Sequence, residues 1–183
     1  HGEVNIATHF RFFDTICGAT QDRQDALQKL LREPLDMLTV INPANGRVIA
    51  ELSADTAHAV ASAYRSARAA QADWAALPLA ARIETIRRFR GELVRDLDRL
   101  AAILTSEVGK PIRQSRNEIN GVLGRIDFFL AESERTLAQR QVFDDSGMRE
   151  QITHEPLGVV ANISAWNYPY FVGANVFVPA LIA

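Results

Sequence analysis

Apolar positions recur at steps of three and four through much of the chain, which predicts amphipathic helices. Residues 21–31 carry Ala26, Leu27, Leu30 and Leu31 at this spacing. Asp22 and Asp25 come early and Lys29 and Arg32 late, matching the helix dipole, and Glu33-Pro34 ends the element. Residues 38–41 and 47–52 are β-rich runs flanking Pro43-Ala44-Asn45-Gly46, a hairpin signal. The alanine-rich run 57–76 predicts a helix with Ser53 or Asp55 as N-cap and Pro78 as its stop. Its apolar marks are Val60, Tyr64, Ala67 and Trp74, the last read as a packing anchor. Residues 79–108 read as one long helix, with Ile83, Ile86, Phe89 or Arg90, Leu93, Leu97, Leu100 and Leu104 on its inner face. Gly109 is its expected stop, followed by Lys110-Pro111. A third long helix is expected over 112–140, through Ile119, Val122, Leu123, Ile126, Phe129, Leu130 and Leu137. Gly121 and Gly124 weaken it locally and admit a close neighbour. Residues 141–153 read as a polar β arm turning at Asp144-Asp145-Ser146-Gly147.

The last stretch changes character. Residues 157–165 form a short apolar, β-branched run, expected to be a strand buried on both faces. Trp166-Asn167-Tyr168 is a polar break, and Pro169 suits the first position of a helix, where its missing N–H costs nothing. Strand, turn and helix open an α/β nucleotide-binding sheet, whose sites lie at the carboxyl ends of strands. The expected site is therefore residues 164–168, and it depends on that strand. Residues 157–183 carry no charged side chain, but Asn162, Asn167, Asn175, Pro169 and Pro179 interrupt the run. It reads as a buried βα unit rather than a membrane span. The fold class is α/β: a hairpin, three long helices, a β arm and the first βα unit of a parallel Rossmann-like sheet, an incomplete domain. A start without methionine and an end inside an apolar run are read as features of a fragment.

The 183 residues are one domain's worth, and a net charge of −2 gives no electrostatic reason to expect nucleic acid or an anionic membrane as partner. The single cysteine, Cys17, excludes an internal disulfide and cannot hold a metal alone. No secretory signal is recognised, so a reducing, cytoplasmic setting is the expectation. His1, His9, His58 and His154 are scattered without metal-ligand spacing. Gly109-Lys110 lacks the glycine spacing of a phosphate loop and is read as structural.

Two resemblances follow. The stretch EPLGVVANISAWNYPYFVGANVFVPALIA resembles the aldehyde dehydrogenase superfamily, whose pattern is E-P-x-G-V-x-x-x-I-x-x-W-N-[YF]-P followed by P-A-L-A. Only the final small residue departs, at Ile182. INPANGRVIAEL and SEVGKPI are similar to that family's first hairpin and its E-x-G-K-P turn, so the likeness runs over about residues 37–183. Separately, FDTICGATQDRQ resembles hydroxymethylbutenyl diphosphate reductase, an iron–sulfur enzyme, at Asp14, Ile16, Cys17, Ala19, Thr20, Arg23 and Gln24. A cluster needs more thiolates than Cys17 supplies. Residues 1–36 are thus read as a foreign leader, with a seam near 36–40, as in a chimera.

The first resemblance implies an NAD- or NADP-dependent oxidation of a small aldehyde to a carboxylic acid, in a homo-oligomer whose contact hairpin lies in the 141–153 arm. It implies that the Asn167 amide holds the developing oxyanion, and that Ile163, Ser164, Ala165, Trp166 and Asn167 line the nicotinamide side of the cofactor pocket. The family's nucleophilic cysteine, base glutamate and adenosine-binding lysine have no counterparts in this chain. The isolated chain is therefore expected to be inactive. Read from the residues alone, Asn167 is a turn asparagine capping the helix before it is a functional donor. The alternatives for the whole chain are an iron–sulfur reductase fragment and a non-catalytic helical interaction module.

Overall fold

The computed structural model describes residues 37–183. The helix expected over 21–31, Cys17, His1, His9 and the iron–sulfur resemblance of residues 1–36 lie outside the described residues.

Strand β1, Met37–Ile41, pairs antiparallel with β2, Val48–Ser53. The connection is not a two-residue Asn-Gly turn. The Asn42 N–H donates to Arg47 O (2.8 Å), the Gly46 N–H donates to Asn42 O (2.8 Å), and Asn42 Oδ1 accepts from the Ala44 N–H (2.9 Å). Pro43 cannot donate to a ladder, so a wider loop closed by asparagine side chains replaces the tight turn.

Helix α1, Ala57–Ala76, is capped by neither Ser53 nor Asp55: Thr56 Oγ1 accepts from the Ala59 N–H at 3.0 Å. Threonine at this place has the extended backbone of a cap, φ −75° and ψ 158°. The helix buries no residue, but Trp74 anchors it, its indole N–H donating to Leu181 O at 2.8 Å.

The helix expected over 79–108 is two helices, α2 (Leu79–Arg95) and α3 (Leu97–Val108). Asp96 sits between them at φ −99°, ψ 9°. Aspartate competes for local hydrogen bonds and is a poor interior residue, and here its carboxylate is turned to Arg99 at 2.5 Å. The ladder bends without breaking, since the Asp96 N–H donates to Glu92 O and its carbonyl accepts from the Leu100 N–H. Gly109 ends α3 in the left-handed region, φ 75°, as its position predicts. A Cβ there would lie 2.7 Å from Pro43 Cγ, so the first hairpin packs against this glycine.

Helix α4 spans Ile112–Leu137, β3 (Arg140–Asp145) and β4 (Met148–Ile152) form the arm, and α5 spans Pro169–Ile182. The arm turns at Ser146 and Gly147, both with positive φ, and every residue of its two strands is exposed. The core lies where α2, α4 and α5 meet: Ile83 and Ile86, Val122 and Ile126, and Ala174, Val178 and Ile182. Phe89 and Phe177 close it edge to face at 5.6 Å. Arg82 ties α5 to the ends of its neighbours, donating to Ile182 O (2.8 Å), Leu77 O (2.8 Å) and Ala75 O (3.2 Å). Three carbonyls orphaned at helix ends thus share one guanidinium.

The strand expected over 157–165 is absent. Among the described residues the sheets are two separate hairpins, β1–β2 and β3–β4, and the segment has no ladder partner. A strand exists only through hydrogen bonds to a neighbour, so the apolar run stays irregular. Several of its apolar side chains are exposed, Leu157 at 96% and Ile163 at 56%, while Val159 is half-buried. The parallel sheet is therefore not formed among the described residues, and the architecture is mixed α/β with helices dominant.

Candidate functional site

The turn 166–168 leads into α5, whose first residue is Pro169. The N-cap is Tyr168, and it offers no side-chain hydrogen bond to the helix. The first amide groups of a helix lack internal acceptors. Here they find one from another element: Glu118 Oε1, in the middle of α4, accepts from the Tyr170 N–H (3.0 Å) and the Phe171 N–H (3.2 Å). A carboxylate at this end is also favoured by the helix dipole.

The Glu118 side chain is fully buried, and a buried charge needs a partner. Lys110 supplies it. Its ammonium, 8% exposed, bonds Glu118 Oε2, donates to the Asn167 carbonyl at 2.6 Å, and lies 3.5 Å from the centre of the Tyr168 ring. Lys110 comes from the connection between α3 and α4, directly after Gly109. Thr105 and Ser115 join the same two helices through their hydroxyls at 2.9 Å. Tyr170 continues the cluster with its hydroxyl 3.4 Å from Leu100 O. Burial first, and then the negative charges of Glu107 and Glu118, raise its phenol above the usual tyrosine range.

The predicted site residues divide in two. Ile163, Trp166 (70% exposed) and Asn167 stand open beside the turn. Ser164 is tied inward: its hydroxyl donates to Asn162 Oδ1 (3.3 Å), and Asn162 Nδ2 donates to Gly173 O (3.1 Å). A Cβ on Gly173 would lie 3.0 Å from Ser164 Oγ, so this segment rides close on α5. Ala165 is half-buried between the two groups. The Asn167 side chain does not cap α5, because Glu118 holds that place. Among the described residues its amide has no hydrogen-bond partner, and its backbone is held by Lys110.

A cavity of about 430 Å³ opens beside Tyr168, lined by Gln114, Asn117, Glu118, Gly121, Tyr168 and Phe171. The expected close neighbour of Gly121 is the Phe171 ring, 3.4 Å from where a Cβ would stand; Gly124 faces open space. Lys110 and Glu118 were not singled out as site residues from the sequence. The signal for Glu118 is its position: Ser115, Glu118, Ile119 and Val122 share one helical stripe, and a carboxylate inside an apolar stripe has a task. Among the described residues no group of three potential metal ligands assembles, and no helix is long and apolar enough to cross a membrane.

A nicotinamide ring fits the open group in part. Ile163 and Trp166 offer an exposed apolar wall, and Asn167 a neutral donor beside it. Among the described residues there is no glycine-rich cradle for the pyrophosphate.

Comparison with known proteins bears on this geometry. Residues 32–183 match the model of the aldehyde dehydrogenase family. A 3,6-anhydro-α-L-galactose dehydrogenase from Streptomyces coelicolor is 34% identical over 146 residues, covering 80% of this chain and 30% of that protein. An N-succinylglutamate 5-semialdehyde dehydrogenase from Novosphingobium aromaticivorans is 39% identical over 120 residues, covering 64% of this chain and 25% of the relative. A solved 3,6-anhydro-L-galactose dehydrogenase in complex with NAP superposes with a TM-score of 0.74 at 28% identity, over 81% of this chain and 31% of that one. A glyceraldehyde-3-phosphate dehydrogenase from Methanocaldococcus jannaschii complexed with NADP gives 0.74 at 25%, over 82% and 32%. The chain thus spans about 30% of the length of the relatives it matches.

Proposed function

The chain belongs to the aldehyde dehydrogenase family, and on that premise we propose that it is the amino-terminal part of an NAD(P)-dependent enzyme oxidising an aldehyde to a carboxylic acid. NAD(P) is the cofactor class that accompanies this family, and similar solved structures carry NAP and NADP. The observation that carries the reading is the division of labour at the turn. Glu118 satisfies the helix amides, Lys110 holds the Asn167 backbone, and the Asn167 amide stays exposed to donate elsewhere.

In this reading a cysteine thiolate from the rest of the enzyme attacks the aldehyde carbon, the negative charge gathers on the carbonyl oxygen, and after hydride loss water cleaves the thioester to the carboxylic acid and the free thiol. NAD(P), when bound, would supply the hydride acceptor, with Ile163, Ser164, Ala165, Trp166 and Asn167 lining its nicotinamide side. The Asn167 Nδ2–H group donates to the charged oxygen, and a neutral fixed donor does this without repulsion or reorganisation. Ile163 and Trp166 exclude water from the adjoining ring face. The aldehyde approaches through the cavity beside Tyr168, between α4 and α5. Residues 157–165 become the first strand of a parallel Rossmann-like sheet once the remaining strands provide its ladder, which covers Leu157, Val160 and Ile163. Residues 37–183 form this unit, with 1–36 a leader. The β3–β4 arm serves a homo-oligomer, and the cytoplasm is the assigned compartment.

Asn167→Ala in a complete dehydrogenase subunit carrying this chain is the test. The expected result is a fall in kcat of about 10²–10³ with KM for NAD(P) little changed. A kcat within about twofold of wild type would remove Asn167 from the reaction. The chain by itself is expected not to turn over, and steady aldehyde oxidation by the purified chain contradicts that part.

A further inference from the structure

We infer that Lys110 and Glu118 are a positioning pair for the Asn167 amide, acting through the backbone of the turn and touching no reacting atom. The inference rests on the oxyanion role assigned to Asn167 above.

The turn has little of its own to hold it. Tyr168 is an N-cap without a side-chain bond, and the segment before it has no strand ladder. What fixes it comes from a distant part of the chain. Lys110 lies 57 residues earlier and donates to the carbonyl of the residue that bears the amide. The same ammonium sits over the ring of the next residue, Tyr168, at 3.5 Å. Glu118 then holds the two amides at positions 170 and 171. The turn is therefore gripped on both sides of Asn167 by one ion pair. With 8% and 0% of their side chains exposed, neither partner can swing into water.

The charges also matter. A buried carboxylate alone near the turn would oppose an oxyanion forming at Asn167. The Lys110 ammonium balances it, so the pair positions the donor at small electrostatic cost to the charge the donor must stabilise. Gly109, directly before Lys110, has a left-handed backbone, and the Pro43 ring lies where a Cβ would stand.

Two measurements test the pair. On the ¹⁵N-labelled 183-residue chain, Lys110→Met should shift the backbone amide resonances of Tyr170 and Phe171, whose acceptor Glu118 loses its counter-charge, and leave the Ile126 resonance in the core in place. It should also move the Asn167 side-chain amide resonances, and Lys110→Arg should restore most of both signals. If Lys110→Met unfolds the chain, Glu118→Gln, which keeps an acceptor oxygen, should give the same local pattern. Unchanged Asn167 resonances, or shifts spread equally to Ile126, overturn the inference. In a complete dehydrogenase subunit carrying this chain, Lys110→Met should lower kcat by about tenfold with KM for NAD(P) within about twofold. The double variant Lys110→Met/Asn167→Ala should be no slower than Asn167→Ala alone, because the lysine works only through that amide. Fully additive losses overturn the pair's positioning role. If Asn167→Ala itself leaves kcat unchanged, the oxyanion reading fails, and the resonance measurement alone decides whether the pair holds the turn.

Discussion

Replacing Glu118 with leucine isolates what the buried pair contributes to stability. The variant keeps side-chain bulk but strands the Lys110 ammonium, 8% exposed, without its counter-charge. Breaking a buried ion pair from one side costs about 3–5 kcal/mol. The Tyr170 and Phe171 amides also lose their acceptor. Both residues are half-buried, so water reaches them in part, and each amide adds about 1 kcal/mol, the low end for an unmet donor. The expected total is about 5–7 kcal/mol, a large share of the roughly 5–15 kcal/mol that holds a domain folded. The double variant Lys110→Met/Glu118→Leu removes both charges and should recover about 3 kcal/mol, because an apolar pair needs no compensation. The amide share stays lost. Urea denaturation followed by helical circular dichroism measures all three proteins, with equal slopes confirming a common transition. A single variant within about 1 kcal/mol of wild type, or a double variant no better than the single, would refute the reasoning.

Gly109→Ala meets both a left-handed backbone and the Pro43 ring at 2.7 Å, and should cost about 2 kcal/mol in a urea melt. Adding Pro43→Ala should return the steric part and leave the conformational part. Arg82→Ala removes donors from Ile182 O, Leu77 O and Ala75 O and should cost about 2 kcal/mol, with lysine restoring only part because an ammonium lacks the planar fork. Asp127 is held below the usual carboxylate range, first by its hydrogen bond from Arg90 and then by that residue's charge. Its stabilisation is complete above the ordinary aspartate pKa and is lost as pH falls through the lowered value. Its side chain is 52% exposed, so screening holds this below about 1 kcal/mol. In Arg90→Ala the Asp127 titration, followed by NMR, should move upward.

The helices were legible because their signals are local: apolar spacing, a proline after α1, a glycine after α3. The break at Asp96 was hidden because Leu93, Leu97 and Leu100 keep the helical period across it. The run 157–165 has the composition of a strand, but a strand is a relation between segments, and no ladder partner stands among the described residues. Asn167 was found through a resemblance, since composition alone leaves it a turn asparagine. Glu118 is not legible in the sequence because local capping rules point to the residues just before α5. The cap comes instead from the middle of α4, across a gap of 52 residues that no local rule spans.

The β3–β4 arm expels almost no water, since each of its residues faces solvent. Only its ladder and turn hold it, and an unsupported two-stranded ribbon is marginal in water. It can open while the helices stay packed, which offers Arg140 and Arg149 to an arginine-directed protease. Cleavage there would sever the covalent link between the helical block and α5. Val178 and Ile182, buried against α2 and α4, would still hold the severed helix in place, so one polypeptide would become two that remain together.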